Sequence, residues 1–292
     1  MTEFKEINYL KEITSSYIIK EIFSFLFEKQ KLNMIIYNKE FQNLLLVNIE
    51  NYQTISGKYK IGEKNGKGKE YKLNTNELIF EGEYLNGKKS GKGKEYYITG
   101  ILKFEGEYLN GKRNGNGKEN YDNGKLKFEG EYLNGERIRK GKEYYISSEL
   151  LFEGEYLNGN KNGKEYYING ELKFEGEYLK ENIWNGKGYN KKGIMEFEIK
   201  NGKGYVKEFD EYGELIYEGE YLNGERNGKG KEYNKVKLQF EGEYINGKRN
   251  GQGKAYFDNG ILQFEGEYLN GNIWNGTGYN NDIIIVRLRN SK

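Results

Sequence analysis

Phe80-Glu81-Gly82-Glu83-Tyr84-Leu85-Asn86-Gly87-Lys88-Lys89-Ser90-Gly91-Lys92-Gly93-Lys94-Glu95-Tyr96-Tyr97 is the stretch that decides the fold. From Phe80 to Leu85, aromatic or glycine positions alternate with acidic ones, the period of two that marks a β-strand. Asn86-Gly87 is a turn signal, because both residues tolerate positive φ. Gly91 to Tyr97 then reads as the returning strand. With Asn86 to Gly91 as the loop, Glu83 is expected opposite Lys94, Tyr84 opposite Gly93, and Phe80 facing Tyr97. Opposite charges and paired aromatics across antiparallel strands each contribute roughly 0.2–1 kcal/mol.

The unit recurs. Its aromatic-glycine-aromatic frame stands at Phe80, Gly82 and Tyr84, then at Phe104, Gly106 and Tyr108, and at Phe128, Gly130 and Tyr132. It returns at Phe152, Gly154 and Tyr156, at Phe174, Gly176 and Tyr178, and at Tyr217, Gly219 and Tyr221. The last copies are Phe240, Gly242 and Tyr244, and Phe264, Gly266 and Tyr268. A degenerate copy near Met195 (MEFEIKNGKGY) fills the widest gap, and a partial copy opens the array at Ile55. The glycine between two aromatics is expected to leave a hollow for a ring from a neighbouring hairpin. A lone hairpin is marginal, so stability must come from stacking.

These features predict a mostly β protein, an elongated single-layer antiparallel β-meander of about ten tandem β-hairpins with a small α-helical N-terminal segment. At roughly 4.8 Å per strand, such a sheet runs on the order of 100 Å. The expected division is 1–52, helical, and 53–292, the repeat array, with a sub-array break allowed for near 185–205.

Composition narrows the function. The chain has 292 residues with 41 Gly, 28 Tyr, 15 Phe and no Pro, Cys or His, a bias that favours repeats. The net charge of +2, with 32% charged residues, gives no basic face for nucleic acid. Without Cys there are no disulfides or thiol nucleophiles, and without His the side chain best suited to proton transfer near neutral pH is missing. The N-terminus lacks the apolar core of a secretory signal, and nothing approaches the roughly 20 apolar residues of a membrane span. A cytoplasmic, non-enzymatic protein is expected, with no catalytic residue, metal or cofactor. Gly87-Lys-Lys-Ser-Gly91-Lys92 lacks phosphate-loop spacing and recurs in nearly every unit.

The motifs FEGEYLNGKKSGKGKEYY (Phe80 to Tyr97) and YEGEYLNGERNGKGKEY (Tyr217 to Tyr233) resemble the MORN repeat. YYITGILKFEGEY (Tyr96 to Tyr108) also resembles the bacterial variant of YwqK-type antitoxins. That resemblance implies scaffolding, dimerisation or membrane-lipid contact. In residues 1–50, Ser15-Ser16 can cap a helix carrying Ile18, Ile19, Ile22, Phe23 and Leu26, and a second run holds Leu32, Ile35 and Ile36. YIIKEIFSFL and KLNMIIYNKEFQNLL resemble an F-box, which implies that those eight apolar residues dock a Skp1-like adaptor. The alternative is a helical cap over the first strand.

Departures from the repeat supply the candidate partner-binding residues. Arg137, Arg139 and Lys140 form a basic run in which Arg139 replaces the loop glycine, and Trp184 and Trp274 sit in the matching phrases NIWNGKGYN and NIWNGTGYN. Trp and Arg are favoured hot-spot residues, whereas the structural reading has Trp filling a hollow at an array junction. The expected function is a non-catalytic protein–protein interaction scaffold, extended to a ubiquitin-ligase substrate receptor by the F-box-like segment. The alternatives are a peripheral phospholipid-binding module and a YwqK-like antitoxin that binds a toxin. Exposed edges make self-association a further expectation.

Overall fold

The computed structural model describes residues 57–280 and 283–288, together with Glu21. The helical segment and the F-box-like positions between Ile18 and Ile36 lie outside these described residues. The described chain is almost entirely β and falls into two compact units, one ending at Lys103 and one starting at Phe104. The first holds β1 (Lys58–Gly62), β2 (Gly66–Lys72), β3 (Leu78–Leu85) and β4 (Lys88–Tyr96), paired antiparallel in chain order.

The second unit is opened by β5 (Leu102–Leu109), β6 (Lys112–Asn120), β7 (Leu126–Leu133), β8 (Glu136–Tyr144) and β9 (Leu150–Leu157). It continues in the same order through β10 (Asn160–Tyr166), β11 (Leu172–Leu179), β12 (Asn182–Tyr189) and β13 (Met195–Ile199). A separate sheet starts with β14 (Gly204–Phe209), β15 (Leu215–Leu222), β16 (Glu225–Asn234) and β17 (Lys237–Ile245). It ends with β18 (Lys248–Tyr256), β19 (Leu262–Leu269), β20 (Asn272–Asn280) and β21 (Ile283–Leu288).

The turn chemistry sets a different register from the one expected. Asn86 and Gly87 take φ of 53° and 78°, the two positive values of a two-residue type I′ turn. The turn therefore closes at once, with Leu85 opposite Lys88 and Tyr84 opposite Lys89. A bulge follows, after which Gly82 meets Gly93, Glu81 meets Lys94 and Phe80 meets Glu95. Glu81, not Glu83, thus faces Lys94, and neither Tyr84–Gly93 nor Phe80–Tyr97 is a pair. The surplus residues are absorbed where Gly91 adopts φ of 67°, with the Glu83 carboxylate filling the space a Cβ would need. In the matching bulge the Glu243 carboxylate accepts the Gln252 N–H at 2.9 Å. Successive turns are also tied together: the Gly135 N–H donates to the Arg113 carbonyl at 2.8 Å, and Gly247 to Arg226 at 2.9 Å.

The core is a row of rings over a row of glycines. Gly106, Gly117, Gly130, Gly141, Gly154, Gly163 and Gly176 pair in sequence from β5 to β11. The strands come so close that a Cβ at Gly130 would stand 2.9 Å from the Gly141 Cα and 2.7 Å from Phe128 Cζ. The ring over Gly82, Gly106, Gly130, Gly154 and Gly242 is thus the phenylalanine two residues earlier on its own strand, not one from a neighbouring hairpin. Phe104, Phe128 and Phe152 are completely buried.

The row fails at the hairpin of β13 and β14. Ile199 stands opposite Gly186, and Val206 opposite Gly219, so both glycines of the close approach are replaced by buried branched residues. Between them only the single bridge Lys200–Lys203 remains, closed by Asn201-Gly202. This substitution explains why one continuous sheet gives way to two.

One turn carries measurable strain. Lys235 and Val236 take φ of 46° and 61°, a conformation that costs an L-residue roughly 1–2 kcal/mol and is an outlier for a β-branched side chain. Replacing them by Asn-Gly (Lys235→Asn with Val236→Gly) is expected to stabilise the chain by about 1–2 kcal/mol, read as a higher urea midpoint. An unchanged or lower midpoint would refute the type I′ assignment.

Candidate functional site

Alternation along each strand gives the sheet two chemically different faces. On one lie the buried rings. Phe104 meets Tyr108 and Tyr132 edge-on at 5.6 and 5.3 Å, and Phe128 meets Tyr132 and Tyr156 at 5.5 and 5.6 Å. A cation from the returning strand covers each ring: Arg113 over Phe104 at 4.0 Å, Arg137 over Phe128 at 4.1 Å, and Lys161 over Phe152 at 4.8 Å. The second sheet repeats this with Arg226 over Tyr217 and Arg249 over Phe240, both at 4.1 Å.

Each cation is held in turn by carboxylates. Arg137 donates to Glu143 at 2.6 Å and to Glu119 at 3.2 Å, and Lys161 reaches Glu143 at 3.7 Å. Glu119 also accepts the Tyr132 hydroxyl at 3.5 Å, as Glu232 accepts Tyr244 at 2.9 Å. The result is a ladder of cations and carboxylates across the hairpins, with the rings beneath it. Burial raises the Tyr132 and Tyr244 hydroxyls above the usual tyrosine range, reinforced by the neighbouring glutamates. Burial also pushes Glu232 up, but the Arg249 hydrogen bond and charge outweigh it and hold the carboxyl below its ordinary value.

The opposite face is polar and grooved. Glu129 stands between Lys118 and Lys142, and Glu153 between Lys142 and Lys164, by strand register. Lys118 reaches Glu129 at 3.3 Å, Lys142 reaches Glu153 at 3.8 Å, and Lys164 reaches Glu175 at 3.6 Å. With the glycine backbone as floor, these side chains line a groove of about 1050 Å³ from β5 to β11. A smaller groove of about 510 Å³ follows the same positions in the second sheet, including Lys231, Glu241, Lys254 and Glu265. The Tyr144 hydroxyl donates to Glu129 at 2.8 Å and, with Lys118, holds that carboxyl below its usual range. Beside the large groove runs a line of exposed leucines, one per hairpin: Leu109 at 49%, Leu133 at 49% and Leu157 at 69%.

The five candidate partner-binding residues do not form one site. Arg137 belongs to the ladder on the aromatic face, Lys140 lines the groove on the other, and Arg139 lies against Glu131 at 3.0 Å with 74% of its side chain exposed. Arg139 occupies the bulge position of Gly91 and takes φ of 52°. Trp184 lies on β12 against the next turn, where a Cβ at Gly202 would be 2.6 Å from the indole, and its carbonyl accepts the Gly202 N–H at 2.8 Å. Trp274 is half-buried on β20. Sequence reading missed the ladder. Its signal was a Lys or Arg five residues after six of the eight frame tyrosines, at Lys89, Arg113, Arg137, Lys161, Arg226 and Arg249.

The ladder makes Arg137 and Arg139 unequal. Arg137→Met keeps the stem over Phe128 but leaves Glu119 and Glu143 facing an apolar group, at a cost of about 2–4 kcal/mol. Arg139→Met removes an exposed pair worth at most about 1 kcal/mol. Urea unfolding of the two variants is expected to separate them in that order, and equal losses would contradict the ladder.

A family model described as MORN repeat matches residues 80–101, 104–125, 152–164, 217–234 and 240–261. No curated protein matches the chain. Among solved structures, a crystal structure of TcdB2-TccC3-TEV is similar at 11% identity over 76% of this chain, with a TM-score of 0.16. One of TcdB2-TccC3 is similar at 13% identity over 64%, with a TM-score of 0.15. The chain covers only 11% and 10% of the length of those two structures. Five copies of the ring-on-glycine hairpin described above thus match the MORN repeat.

Proposed function

We propose that the chain is a non-catalytic scaffold that binds an extended polypeptide on the polar face of its MORN sheet. The observation that carries this reading is the groove from β5 to β11, in which the same Glu, Lys and glycine-backbone groups return at each hairpin. Seven strands at about 4.8 Å give it a run of roughly 30 Å, the reach of an extended segment of about nine residues. A periodic surface of this kind presents matching contacts along a chain rather than one converging set of reactive groups. Its chemistry points the same way: Glu129, in the groove wall, is held below the usual carboxylate range by the hydrogen bond from Tyr144, the opposite of what a general acid needs. The exposed leucines beside the groove supply apolar contacts that the ion pairs lack.

Lipid binding is the weaker reading, because the lysines of this face already lie against glutamates at 3.2–3.8 Å. The finer proposal, resting on the F-box resemblance, is that residues 1–52 dock a Skp1-like adaptor while the sheet collects a substrate. Affinity capture from eukaryotic extract tests both parts, using the full chain, a form lacking residues 1–52, and the groove variant Glu129→Lys with Glu153→Lys. The adaptor is expected to disappear with the deletion, and the remaining captured proteins with the groove variant. Capture unchanged by the groove variant would refute the polar face as the binding surface.

A further inference from the structure

On the aromatic face each regular hairpin holds its own cation above a ring and between successive carboxylates, as Arg137 does between Glu119 and Glu143. Two full-length hairpins of the second unit lack that cation. In the hairpin of β11 and β12, the residue opposite Tyr178 is Ile183; in that of β19 and β20, the residue opposite Tyr268 is Ile273. Where the cation is lost at Ile273, the carboxylate of the preceding hairpin is lost too, since Ala255 stands where the others carry glutamate. At Ile183 the preceding carboxylate is kept as Glu165, which accepts the Tyr178 hydroxyl at 2.6 Å and lies 3.0 Å from Lys173, while the carboxylate of the hairpin's own second strand gives way to Gly188 opposite Phe174.

The next hairpin opens the space further. The short β13–β14 turn has no counterpart of the frame tyrosine or of the lid cation, because Asn201-Gly202 follows two residues after Ile199. The ring of Phe174 therefore has Phe197 stacked at 6.3 Å where a tyrosine edge would otherwise meet it. Beyond the gap the ladder resumes at Glu208, which takes Arg226 at 2.7 Å. A pocket of about 360 Å³ lies in this gap, lined by Phe174, Tyr178, Phe197 and Tyr221, by Glu165 and Glu208, and by Lys173 and Lys207, which are paired to Glu165 and Glu196.

We propose that this pocket binds a guanidinium group brought from outside the chain, which takes the place of the missing lid over Phe174 and meets the Glu165 and Glu208 carboxylates that line the pocket. Four of the lids in the regular hairpins are arginines (Arg113, Arg137, Arg226 and Arg249), so the ring and the preceding carboxylate that recur here are those that elsewhere hold a planar cation. The volume accommodates the group with its alkyl stem. The site is on the face opposite the polar groove and does not depend on it.

Titration calorimetry of the full chain tests the assignment, using agmatine, a capped Gly-Arg-Gly peptide, and the same peptide with citrulline as the uncharged isostere. Arginine is expected to bind at least about tenfold more tightly than citrulline, the worth of one charge-assisted hydrogen bond. Tighter binding of the peptide than of agmatine would assign the group to a polypeptide side chain, and the reverse to a free guanidino compound. Ile183→Arg restores the built-in lid and is expected to abolish binding while raising the thermal midpoint. Glu165→Gln, which still accepts the Tyr178 hydroxyl, is expected to weaken binding roughly tenfold. Absence of binding, equal affinity for arginine and citrulline, or undiminished binding by Ile183→Arg would each overturn the proposal.

Discussion

An aromatic ring can lie on bare backbone only where two facing strands both lack a Cβ, and the rest of this structure depends on that constraint. The glycine pairs let neighbouring strands approach and give each phenylalanine a floor. Tyrosine edges then wall the ring in, and a clamped cation covers it. A single sheet has no second layer to bury its apolar face, so burial has to be assembled within the repeat itself. Completely buried phenylalanines beneath largely covered arginines show how the chain achieves this with little aliphatic core.

The same arrangement makes the hairpins interdependent. Glu119 takes a cation from its own hairpin and one from the next, together with the next tyrosine hydroxyl. The second tyrosines add another link: Tyr121, Tyr145 and Tyr167 donate to the carbonyls of Tyr144, Tyr166 and Tyr189 at 2.7–2.8 Å. Turn-to-turn hydrogen bonds add a third along the opposite edge. Stability in such an array is a sum over neighbours, and a change in one hairpin acts on the hairpins beside it. Where the chain departs from the pattern, as at Ile199 and Val206, the sheet divides and a pocket opens.

Much of this was legible in the sequence, because the pattern that sets the strands is local. Phe80, Gly82 and Tyr84 alternate with glutamates at period two, and Asn86-Gly87 names its own turn. The register was not legible, because it depends on where the bulge takes up Ser90 to Lys92, a choice made by the positive φ of Gly91 and the reach of the Glu83 side chain. The ladder escaped for another reason. Arg137 and Glu119 are 18 residues apart and meet only because the hairpins stack, so a motif read one unit at a time hides the pair. The basic run Arg137 to Lys140 looked like one cluster, yet the alternation and the bulge send its members to different faces.

Gly117→Ala, followed by urea unfolding, tests the central constraint most directly. Gly117 has no positive φ to maintain, so alanine suits its backbone, and a Cβ there would stand 2.6 Å from Phe104 Cε2 and 3.2 Å from Tyr132 Cε2. If the ring rests on the glycine pair, the variant loses about 1–3 kcal/mol through overpacking. If the glycine merely occupies a strand position, alanine stabilises by about 0.4–1 kcal/mol through the unfolded chain, and a midpoint that rises would contradict the account.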